Sequence, residues 1–161
     1  KKKFSFFFNR KKIPNKVKKV LIIQENHIKI SKIIRIIKNL NRKKKFQIFF
    51  KFRPNSLKDN YLRDFLNKNS VTFFHQENIY DLMKKKNFDF LLAFNSTLLL
   101  ESSYFNILPV LLYETKPKLY DYLKDDVFFT SNIENIDINL NKIQRKRKKL
   151  TRIKKILWSS N

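Results

Sequence analysis

Apolar and polar positions come in blocks along this chain. Val20 to Ile23, Phe46 to Phe52, Ser70 to Phe74, Phe88 to Phe94 and Leu108 to Tyr113 are short apolar runs, each bounded by polar clusters. Continuous runs of that length, without polar alternation, predict strands buried on both faces. Between them the period changes. Ile28 to Leu40 sets Ile30, Ile33, Ile34 and Ile37 at the i, i+3, i+4, i+7 positions of one helix face. A second helix is expected through Tyr61, Phe65 and Leu66, capped by Asn55 or Ser56. A third follows Asn78 over IYDLMKKK, its lysines at the C-terminal end that the helix dipole favours, and a fourth spans Ser96 to Phe105. Arg53-Pro54 ends the second strand because proline has no amide proton for a ladder; Pro109 falls in the first residues of the fifth, where it is tolerated. Val127 to Thr130 predicts a short sixth strand. From Asn141, NKIQRKRKKLTRIKKILW predicts one basic helix with Ile143, Leu150, Ile153 and Leu157 as a sparse apolar stripe.

Strand and helix alternate throughout, which means βαβ units. The expected fold is therefore α/β: a Rossmann-like, three-layer domain with a mostly parallel sheet of five to six strands and helices on both faces. A chain of 161 residues can bury one such core. The expected division is a basic segment over 1–17 linking to a domain outside this chain, a Rossmann-like domain over 18–140 and a basic helix over 141–161. No initiating Met is present, in keeping with a piece of a longer protein. No apolar run approaches the ~20 residues of a membrane span.

Charge modifies this picture. Lys and Arg number 37 against 13 Asp and Glu, for a net charge of +24. That balance fits nucleic acid or an anionic membrane surface as partner. It also fits plain composition, since Lys, Asn, Ile and Phe are abundant while glycine is absent, the mark of AT-rich coding. The lack of cysteine excludes disulfides and thiolate chemistry. The two histidines, His27 and His75, stand far apart, and no metal site is expected. Without glycine, neither GxGxxG nor GxxxxGK[ST] exists. A nucleotide must then be held by side chains and helix ends.

Ligands of open parallel sheets bind beyond the carboxyl ends of the strands. The residues there are Gln24, Glu25, Asn26 and His27; then Arg53 to Ser56; then His75 to Asn78; then Asn95, Ser96 and Thr97. Asn95 or Ser96 is the expected N-cap of the fourth helix, whose unpaired N–H groups and neighbouring hydroxyls suit a phosphate. The Arg53 guanidinium can make a bidentate contact with phosphate oxygens. Glu101, one turn beyond Thr97, can accept from ribose hydroxyls. Gln24, His27, His75 and Asn78 are secondary candidates.

The series FKFRPN, ENIYDLMKK, FDFLLAFNSTLLLESSYFNILPVLLY and YDYLKDDVFFTS resembles the C-terminal half of GT-B glycosyltransferases. It is most similar to bacterial enzymes of capsule and lipooligosaccharide synthesis, including the sialyltransferase- and polysialyltransferase-like group. In that group one strand ends in His-Pro and a later one in Ser-Ser or Ser-Thr; the matching pairs here are Arg53-Pro54 and Ser96-Thr97. The resemblance, over roughly Val20 to Asn132, implies that Arg53, Ser96 and Thr97 meet the donor phosphate and Glu101 its ribose. It implies a CMP- or UDP-linked sugar as substrate, no further cofactor, and a glycan or glycolipid acceptor. A cytoplasmic location, peripheral on the inner face of the membrane, goes with it. Arg53 departs from the family, which has His at that position. The acceptor site and general base belong to the other half, so no catalytic residue is assigned. A basic nucleic-acid-binding module without catalysis is the alternative.

Overall fold

The computed structural model describes residues 17–54, 59–115 and 127–158. Six strands are present: β1 (Lys18–Ile23), β2 (Phe46–Lys51), β3 (Thr72–Phe74), β4 (Phe90–Ala93), β5 (Leu108–Tyr113) and β6 (Phe129–Asn132). They form one sheet in the order β3-β2-β1-β4-β5-β6, and every pairing is parallel. The α/β, Rossmann-like expectation is met.

Six helices complete the described residues: α1 (Ile30–Asn41), α2 (Asn60–Lys68), α3 (Ile79–Lys86), α4 (Leu98–Ser102), α5 (Ile136–Arg145) and α6 (Lys149–Trp158). Alternate residues of a strand face opposite ways, and two cores result. Val20, Ile22, Ile48, Phe50 and Leu92 pack with α1, α2, α5 and α6, whereas Leu21, Ile23, Phe49 and Leu91 pack with α3 and α4. Continuous apolar runs are the price of covering both faces.

Several boundaries differ from the sequence expectation. In α1 the buried stripe is Ile33, Ile36, Ile37 and Leu40, so Ile30 and Ile34 lie at its margin. Asn55 and Ser56 fall outside the described residues; Asp59 caps α2, its Oδ1 accepting from the Leu62 N–H at 3.0 Å. Ser70 takes a left-handed φ of 55° after α2, which delays β3 to Thr72. With no glycine in the chain, Lys44, Asn87 and Asn106 hold the other left-handed positions among the described residues.

The largest difference is at the C-terminal end. The single helix expected from Asn141 is two helices, with α5 starting at Ile136 and a break over Lys146–Lys148. Consecutive short-range bonds, Lys146 N–H to Ile143 O and Lys149 N–H to Lys146 O, tighten the chain there. The break lets Ile136, Leu140 and Ile143 on one side and Leu150 and Ile153 on the other reach the same core cluster. β6 likewise begins at Phe129, two residues after the expected Val127, and extends to Asn132. Its polar Ser131 is fully buried and accepts from Asn139 Nδ2 at 3.2 Å.

Candidate functional site

In this strand order β1 and β4 are neighbours, and the connections leave them toward opposite sides of the sheet. Such a reversal leaves a crevice at the carboxyl ends of the two strands. The crevice is present as a cleft of about 670 Å³ lined by the segments following β1, β2, β3 and β4. Of the residues singled out in the sequence, Gln24, His27, Arg53, Asn78, Asn95, Ser96 and Thr97 line it together. Two do not. His75 lies behind the lining, and Glu101 sits beyond it, accepting from the Tyr80 hydroxyl at 2.6 Å.

Each lining side chain has a structural anchor. Gln24 Oε1 accepts the Arg53 N–H at 3.2 Å, joining the tips of β1 and β2. Asn78 caps α3, its Oδ1 accepting from the Tyr80 N–H at 2.9 Å. Thr97, not Asn95 or Ser96, is the N-cap of α4, a helix of only five residues. Ser96 Oγ accepts from the Leu98 N–H at 3.2 Å, which leaves its own O–H able to donate into the cleft. The Asn95 and Thr97 side chains are exposed at the cleft wall, as is that of Arg53. His27 Nε2 stands 3.5 Å from the Glu25 carboxylate.

Two charged residues organise the floor: Glu25, which the sequence places at the rim without a role, and Lys51, which it does not mark. Glu25 is 7% exposed, and its carboxylate accepts the Phe94 N–H at 2.6 Å and the Asn95 N–H at 2.9 Å. It therefore fastens the end of β1 to the end of β4 across the crevice. Lys51, 8% exposed, donates to the Phe52 carbonyl at 2.9 Å and the His75 carbonyl at 2.6 Å, fastening β2 to β3. Burial holds the Lys51 ammonium below its ordinary value, while Glu77 opposes that shift. The Glu77 carboxyl is lowered chiefly by its own N–H, against burial, with the His75 N–H and Lys51 assisting. A lysine inside the run FFKF was the available signal, since a charge in a buried strand must be paired.

His75 stacks on Phe52 at 4.6 Å and meets Phe73 edge-on at 5.2 Å; its Nδ1 is buried without a hydrogen-bond partner. Burial lowers its pKa, Arg63 and Lys51 lower it further, and Glu77 opposes them. The unfolded chain, with an ordinary histidine, thus binds a proton at a higher pH than the native one. Stability from this group is complete above about pH 6.5 and declines as pH falls from there toward the depressed native value. Urea midpoints of the wild type should fall between pH 7.5 and 5.5. Those of His75→Phe, which keeps the ring stack, should fall less; parallel pH profiles would refute the assignment.

No protein-family model and no curated protein sequence matches this chain. Solved structures match its fold. A UDP-GlcNAc 2-epimerase from Neisseria meningitidis, bound to UDP-GlcNAc, superposes with a TM-score of 0.60 at 16% identity, over 84% of this chain and 39% of that one. S. aureus MnaA, in a co-structure with UDP, gives 0.60 at 13% identity with the same two coverages. The fold is shared with these UDP-bound proteins. At these identities the likeness is one of fold, and it agrees with the Rossmann-like α/β expectation. No sequence match supports the narrower likeness to sialyltransferase-like enzymes. This chain spans 39% of the length of each of these two structures.

Proposed function

We propose that this chain is the donor-binding half of a nucleotide-sugar enzyme, a glycosyltransferase that builds a bacterial surface glycan or glycolipid. The observation that carries the reading is the cleft at the β1/β4 reversal, where the tips of four strands supply one rim of polar side chains. Arg53 offers a guanidinium fork to phosphate oxygens, and Ser96 and Thr97 add hydroxyl donors on the facing wall. Glu25 and Lys51 already spend their polar atoms on backbone groups, so they position the walls. Gln24, Asn78 and Asn95 also line the cleft, on the ground where the sugar or base would lie. The two fold neighbours, one bound to UDP-GlcNAc and one to UDP, favour a uridine nucleotide over CMP.

In transfer, the bond from the anomeric carbon to the donor phosphate breaks and negative charge grows on the leaving nucleotide. Arg53 and the Ser96 and Thr97 hydroxyls would stabilise that charge. The proton of the acceptor would leave to a base on the other half. Titration calorimetry with UDP, CMP and UDP-GlcNAc tests the binding step. Saturable binding is expected, weakened about tenfold or more by Arg53→Ala, Ser96→Ala or Thr97→Ala, the loss of one bond to a charged group. Unchanged affinity in all three variants would remove the proposal.

A further inference from the structure

We infer that the outer face of α6 docks this protein on an anionic lipid surface, a proposal independent of the nucleotide-sugar reading. No Asp or Glu occurs after Asp137, whereas nine Lys and Arg lie between Lys142 and Lys155. The packing of α6 decides which of them face outward. Leu150 and Ile153 are buried and Leu157 packs against the same core. Arg152 and Lys155 lie on the helix face opposite that stripe, Lys148 stands in line with them just before the helix begins, and all three are exposed. This face is therefore open to solvent.

The apolar content of the same surface selects the kind of partner. Ile156 and Trp158 flank the basic face, each 46% exposed, and Tyr104 beside Trp158 is 61% exposed. Trp158 is held rather than loose: its Nε1–H donates to Ser103 Oγ at 2.9 Å and its ring meets that of Tyr104 edge-on at 5.8 Å. The indole therefore stays beside the basic face with its outer edge in solvent. A tryptophan, a tyrosine and an isoleucine set among Lys and Arg are the make-up of a helix lying at a lipid headgroup boundary. A phosphate backbone alone would use the cations and gain nothing from exposed Ile156. No helix among the described residues is long and apolar enough to cross a membrane, so the contact is with the surface.

Vesicle sedimentation of the full chain tests this, using phosphatidylcholine with and without phosphatidylglycerol at low and high salt. Binding is expected only with phosphatidylglycerol and should weaken as salt screens the charges. The chain holds one tryptophan, so its emission reports on Trp158 directly and should shift to the blue on binding. Each cation at an anionic surface raises affinity about fivefold, so Lys148→Gln, Arg152→Gln and Lys155→Gln together should cost at least tenfold. Unchanged circular dichroism would show that the variant keeps its fold, as exposed positions allow. Trp158→Ala should weaken vesicle binding with little change in its salt dependence. Equal pelleting with both lipids, an unmoved emission spectrum, or wild-type affinity in the triple variant would overturn the inference. So would salt-sensitive retention on single-stranded RNA without vesicle binding, which would give the face to nucleic acid.

Discussion

Glu25→Ala is expected to lower the thermal midpoint by roughly 6–12 °C and to abolish the nucleotide binding proposed for the cleft. Glu25 is the only side chain that reaches from the tip of β1 to the backbone of the segment after β4 through charged hydrogen bonds among the described residues. Its removal leaves the Phe94 and Asn95 N–H groups without their acceptor at the rim of a buried strand pair. Hydrogen bonds to a charged group contribute about 1.5–3 kcal/mol each, and stranded donors carry a desolvation cost. Partial access of water to Asn95 reduces the sum, so about 3 kcal/mol is the expected loss. Asn95, Ser96 and Thr97 would shift with the released segment, which couples stability to binding. Glu25→Gln keeps one oxygen but aims an amide nitrogen at an N–H, so it should fall between the two. Thermal melts and calorimetry on both variants measure this; a Glu25→Ala protein with native melting would show that the carboxylate does not hold the crevice together.

Lys51→Met is expected to destabilise the chain by about 2 kcal/mol and to reduce the acid sensitivity that His75 confers. Two effects compete. Loss of the ammonium strands the Phe52 and His75 carbonyls, yet it also relieves a buried cation of its desolvation. The first effect wins because both bonds are charge-assisted and short, at 2.9 Å and 2.6 Å. Lys51 is one of the cations that lower the His75 pKa, so its removal leaves Glu77 less opposed and brings the imidazole nearer to its ordinary value. The native and unfolded histidines then differ less, and stability should fall less below about pH 6.5. Denaturant midpoints across pH 5.5–7.5 check both halves of the prediction. A pH dependence equal to that of the wild type would separate Lys51 from His75.

The order of elements was legible because the strands are buried on both faces and read as unbroken apolar runs. The rim was legible for a related reason: parallel strands all end on one side, so the residues after Ile23, Phe52, Phe74 and Phe94 had to meet. What escaped depends on contacts between distant segments. Glu25 looked like one more loop residue because the N–H groups that donate to it lie 69 and 70 positions away. Glu101 reads as a helix carboxylate with no partner nearby, and only the fold sets the Tyr80 hydroxyl against it. The break between α5 and α6 was hidden because Lys and Arg fill the sequence on both sides, so the pattern of charge does not change where the backbone turns.

The central pair, β1 with β4, joins Val20 to Phe90 and Leu21 to Leu91. Closing it spans two intervening strands and three helices, a long loop that costs entropy before any contact returns it. The crevice exists only once that closure is made, so no early or local fragment of the chain can own it. Occupancy of the cleft is thus a report on the finished topology, and a bound nucleotide would grip a seam between segments that lie far apart along the chain.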